Sequence, residues 1–130
     1  MDFLNLDHPE VQQAIRDVKC LLEKHKKNIV SVSLFGSTLT TRIDEAQDID
    51  FLVSFRDADY NRIKEEMLAN DIDRKLVIQR ADNGYSNHPD WPKEKPIPLH
   101  ILFYDHDKCN LKPKMMKTLT TAIDITKLVL

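Results

Sequence analysis

Two pairs of residues, Gly36-Ser37 and Asp48-Ile49-Asp50, are the parts of this sequence best suited to chemistry, and ten residues separate them. Residues i and i+2 of a strand share one face, ~6.5–7 Å apart along it. Asp48 and Asp50, at the start of an apolar run, can therefore converge on one or two Mg²⁺ ions. Mg²⁺ takes oxygen ligands and commonly binds one or two carboxylates together with substrate phosphates. Paired ions ~3.5–4 Å apart stabilise the attacking and leaving oxygens of an in-line displacement. Gly36 closes an apolar run, where a glycine lets backbone approach a phosphate and a following helix start offers free N–H groups to an anion. The Ser37 hydroxyl adds a donor, and Arg42, between the two pairs, is a candidate phosphate contact. Taken singly, Gly-Ser after a strand is usually a turn and Asp-x-Asp usually a solvated strand end. Their order and spacing carry the signal.

The flanking patterns supply the elements that must hold these residues. Pro9 opens a helical pattern in which Val11, Ile15, Val18, Leu21 and Leu22 recur through about Lys26. Asp7 or His8 stands at the cap, with Asp7 the better chemical choice, and Lys24, Lys26 and Lys27 fall in the last turn, where they suit the helix dipole. Residues 29–35 alternate and are β-branched, predicting a strand that Gly36 ends. Residues 37–47 predict a short helix and a loop. Residues 48–55 predict the clearest strand, with Ile49, Phe51, Val53 and Phe55 on one face and Asp48, Asp50, Leu52 and Ser54 on the other.

Asp57 and Asp59 then start a helix carrying Tyr60, Ile63, Met67 and Leu68, and a third strand covers 75–79. Residues 80–96 predict a long loop, in which Tyr85 and Trp91 are suited either to stack on a base or to anchor the loop. A fourth strand covers 98–104. A last helix near 112–122 buries Met115, Leu119 and Ala122 and carries Lys112, Lys114 and Lys117 on one face. The tail 127–130 is suited to a short strand. Strands alternating with helices predict an α/β (α+β) protein, and two strands joined without a helix predict a mixed β-sheet with flanking helices.

Composition narrows the function classes. A chain of 130 residues fits one domain, spanning 1–130, with a real core. Its net charge of −2 gives no global basic field, which argues against nucleic acid as a partner. Cys20 and Cys109 have no metal-ligand spacing and read as reduced thiols. No basic segment followed by an apolar one opens the chain, and no apolar run is long enough to span a bilayer, so the expectation is a cytoplasmic protein without membrane contact.

The order of apolar strand, Gly36-Ser37, ten residues, Asp48-Ile49-Asp50 and then Phe51-Leu52-Val53 resembles the signature of the minimal nucleotidyltransferases of the DNA polymerase beta superfamily. The resemblance implies a nucleotidyltransferase-like fold and transfer of a nucleoside monophosphate from a nucleoside triphosphate to a hydroxyl, with release of pyrophosphate. It implies Mg²⁺ (or Mn²⁺) at Asp48 and Asp50 and triphosphate at Gly36 and Ser37. It also implies a protein or small-molecule acceptor, with a helical partner protein as one source. The family's third carboxylate lies on a later strand, and here His100 holds the corresponding place. A neutral imidazole can act as general base, but it is a poor ligand for Mg²⁺ beside carboxylate. Asp105 and Asp107 follow that strand, Asp105 with the opposite parity. Two readings therefore stand: a transferase with Asp48, Asp50 and His100 as its catalytic residues, and a catalytically impaired binding module or antitoxin-type partner protein.

Overall fold

The computed structural model describes residues 7–36, 48–70, 72–81, 96–107, 111 and 113–130, the side chains of Lys114 and Met115 excepted. The first helix, α1 (Pro9–Leu22), begins with proline where its missing N–H is no loss. Its cap is His8, not Asp7: the imidazole Nδ1 accepts the Glu10 N–H at 3.1 Å. Carboxylate chemistry favoured Asp7, but the cap goes to the residue whose extended backbone immediately precedes the first turn. Lys24, Lys26 and Lys27 lie beyond α1, in a 3₁₀ turn (Glu23–Asn28).

Five strands form one mixed sheet: β1 (Ile29–Phe35), β2 (Ile49–Phe55), β3 (Leu76–Arg80), β4 (Leu99–Asp105) and β5 (Ile123–Asp124), in the order β3-β4-β2-β1-β5. β1 runs antiparallel to β2 and β5, while β4 runs parallel to β2 and β3. The expected mixed sheet is thus found.

Between β2 and β3 lies α2 (Tyr60–Leu68), capped by the Asp59 carboxylate on the Asn61 N–H at 2.9 Å. Tyr60, Ile63 and Met67 are buried as expected, but Leu68 is exposed, because its position on α2 turns away from the sheet. After β4 come α3 (Pro113–Thr121) and α4 (Thr126–Val129). The tail was expected to be a strand and is α4; the short strand lies earlier, at β5. Thr126 explains the change. Its Oγ1 accepts the Val32 N–H at 2.9 Å, and the Asp124 carboxylate accepts its N–H at 2.9 Å, which turns the chain into a helix.

Alternation on β2 separates two apolar clusters. Ile49, Phe51, Val53 and Phe55 join α1, α2 and α4 through Val18, Ile63 and Val129. Leu52 joins Phe35, Leu102, Tyr104 and Leu111 on the other face, with Leu119 and Ala122 packed on them half-buried. Arg74 braces the start of β4: its Nη1 donates to the Ile97 carbonyl at 2.8 Å and its Nε pairs with Asp17 of α1 at 3.0 Å. Among the described residues, no helix is long and apolar enough to cross a membrane.

Candidate metal centre

Register builds the site. In the parallel pair β2–β4, Asp50 stands directly opposite His100. Side chains of facing residues in a ladder lie on the same side of the sheet. His100 Nδ1 accordingly lies 3.0 Å from Asp50 Oδ1 and 3.9 Å from Asp48 Oδ2. One ligand atom from each of Asp48, Asp50 and His100 lies within 4.8 Å of the others. Two carboxylate oxygens and an imidazole nitrogen this close can be bridged by one cation, so the donor set fits a divalent metal ion.

Gly36 completes the floor from β1, whose last residue, Phe35, pairs with Asp50. Its φ is +87°, a left-handed conformation that a Cβ disfavours. A Cβ at this position would also collide with Asp50 Oδ2 and lie 3.1 Å from Asp50 Cγ. The glycine therefore allows the chain to leave β1 past the Asp50 carboxylate. Sequence reasoning assigned Gly36 to a close approach of backbone to phosphate; the close approach seen in the structure is to Asp50.

Gln79 was not anticipated. Its Oε1 lies 2.6 Å from His100 Nε2, on the opposite side of the ring from Asp50. The signal was present in the third strand: Gln79 is the one amide in the run Leu76-Val77-Ile78-Gln79, and β3 parity puts it on the face of His100 and Leu102.

The site is closed to solvent. Asp48 is 1% exposed, Asp50 4% and His100 0%. Asp-x-Asp taken singly is usually a solvated strand end, but every residue of β2 is buried, paired with β1 on one side and β4 on the other. Asp105 and Asp107 stand at the other end of β4, where Asp105 pairs with Phe55 and Asp107 binds Arg56 at 2.9 Å. Neither supplies a third carboxylate here. Ser37, Arg42, Tyr85, Trp91, Cys109 and Lys112 lie outside the described residues. Elsewhere, His25 pairs with Glu66 at 3.2 Å, His106 is exposed, and so are Cys20 and Lys117.

A mixed sheet that brings a strand-ending glycine against an Asp-x-Asp pair on the next strand is the framework of a nucleotide-transfer domain. Residues 16–84 match the family described as Polymerase beta, Nucleotidyltransferase, and the chain belongs to this family. The matched span contains Gly36, Asp48, Asp50 and Gln79; His100 lies beyond it. No curated protein and no solved structure matches the chain.

Proposed function

We propose that residues 1–130 act as one nucleotidyltransferase domain that moves a nucleoside monophosphate from a nucleoside triphosphate to a hydroxyl of a protein or small-molecule acceptor. The observation that supports this most is the convergence of Asp48, Asp50 and His100 within 4.8 Å, beside a glycine whose positive φ and close approach to Asp50 both exclude a side chain. The acceptor oxygen bonds to the α-phosphorus, the bond from that phosphorus to the bridging oxygen breaks, the hydroxyl proton passes to solvent and pyrophosphate leaves. Asp48 and Asp50 would hold a divalent cation, which supplies charge neutralisation on the phosphoryl oxygens. Gly36 and Ser37 receive the triphosphate, with Arg42 as a further phosphate contact, and His100 takes the place of the third carboxylate. Both ring nitrogens of His100 already face oxygen partners, which favours a holding role over proton abstraction.

The substitution of His100 for a carboxylate supports a second reading, a nucleotide-binding module with little catalysis. One experiment separates the two. Labelled nucleoside triphosphates are incubated with the protein, Mg²⁺ or Mn²⁺ and host lysate, and thermal stability is followed with nucleotide, cation or both. Transfer of label, together with a joint stabilisation larger than the sum of the separate ones, is the expected result. Asp50→Asn, a near-isosteric change, should remove both. Joint stabilisation without transfer leaves the binding module, and neither with any of the four nucleotides removes both readings.

A further inference from the structure

We propose that Asp48, Asp50 and His100 form a mixed oxygen–nitrogen site that selects a first-row transition cation of the Mn²⁺, Co²⁺ or Zn²⁺ class over Mg²⁺. This rests on the reading of the cluster as the metal centre of the transferase.

Three observations carry it. The first is donor chemistry. Mg²⁺ demands oxygen ligands, whereas imidazole suits Zn²⁺ and its neighbours, and affinity for a given nitrogen–oxygen site rises from Mn²⁺ through Co²⁺. The second is burial, at 1% for Asp48, 4% for Asp50 and 0% for His100. Mg²⁺ dehydrates reluctantly and keeps several waters, so a site this closed disfavours it.

The third is the arrangement around the ring. The Gln79 side chain lies 2.6 Å from Nε2, on the side of the ring away from the carboxylates. Nδ1 faces the two carboxylates, 3.0 Å from Asp50 Oδ1 and 3.9 Å from Asp48 Oδ2. Metal-binding histidines characteristically donate their other ring N–H to a carbonyl or carboxylate, which fixes the tautomer and raises ligand basicity. Gln79 is placed to be such a positioning residue.

The test uses metal salts alone, without nucleotide, on the full chain. Calorimetric titration with MnCl₂, ZnCl₂ and MgCl₂ should show Mn²⁺ binding at least about tenfold tighter than Mg²⁺, and Zn²⁺ tighter than Mn²⁺. Electron spin-echo spectroscopy of the Mn²⁺-loaded wild type should show a directly bound ¹⁴N. His100→Asp should raise Mg²⁺ affinity, reduce the Mn²⁺ preference and remove the ¹⁴N signal. Gln79→Leu should weaken Mn²⁺ binding by about 10–100-fold while leaving Mg²⁺ binding nearly unchanged. The wild-type measurements decide the matter even if His100→Asp does not fold. Equal affinities for Mg²⁺ and Mn²⁺, no ¹⁴N coupling, or no binding of any cation because a proton alone bridges His100 and Asp50, overturns the proposal. Transfer activity with Mg²⁺ at equal affinity would overturn it while leaving nucleotidyl transfer intact. Tight Mn²⁺ binding without transfer would support it while removing the transferase.

Discussion

The two faces of the sheet have been put to different uses. One is apolar from end to end: Ile49, Phe51, Val53 and Phe55 of β2 meet α1, α2 and α4 in a cluster of more than twenty buried residues. The other mixes Asp48, Asp50, His100 and Gln79 with the apolar Phe35, Leu52 and Leu102. Asp48, Asp50 and His100 are as buried as the apolar face, yet one face holds hydrocarbon and the other holds ionisable groups and their partners. Burying carboxylates is costly unless they are hydrogen-bonded or bound to cations. The fold tolerates that cost on one face because the other supplies the stability.

The sharpest way to break this comparison is to damage the apolar face. Phe51 is fully buried there, and Phe51→Ala should cost about 3–5 kcal/mol in urea denaturation. The surviving folded fraction should still show joint stabilisation by cation and nucleotide. Loss of that response in protein shown to be folded would mean that the two faces are not separable.

Gly36→Ala tests the junction between structure and site. The positive φ and the collision with Asp50 predict a smaller loss, about 1–3 kcal/mol, but the displaced Asp50 carboxylate should weaken cation binding markedly. Equal effects on stability and binding would argue that Gly36 serves the turn alone. Asp124 offers the smallest effect and a contrast among carboxylates. The hydroxyl of Thr126, and then its backbone N–H, hold the Asp124 carboxyl below its ordinary value. A lowered folded-state pKa stabilises above the unfolded value of ~3.9 and loses that stabilisation as pH falls through the folded value. Asp124→Asn should thus lower Tm by under about 3 °C at neutral pH. The gap to wild type should close as the pH is taken below about 4, with cation binding unchanged throughout.

Much of this was legible in the residues. The alternation on β2 gave both faces correctly, because period-two patterning is a local property of one strand. The resemblance, in which a third ligand lies on a later strand, pointed to His100 as the companion of the two aspartates. Less legible were properties set by distant parts of the chain. The pairing of Asp50 with His100 depends on register, which a shift of one residue would destroy. The burial of Asp48 and Asp50 depends on covering that no local pattern encodes. Gln79 was missed because its role exists only through β4 lying beside β3. His8 displaced Asp7 as cap because backbone geometry outweighed side-chain preference.

The parallel pairing of β2 with β4 also sets the time at which the site comes into being. Asp50 and His100 touch across 50 residues of chain. Contacts of such separation form only after the intervening segment has closed on itself, which slows folding. A chain emerging during synthesis carries Gly36, Asp48 and Asp50 early, but has no complete donor set until β4 has been made and docked. A cation held by the proposed site would therefore report on completed folding, and a fragment ending before His100 is a chain with the family's motif and without the histidine that faces it.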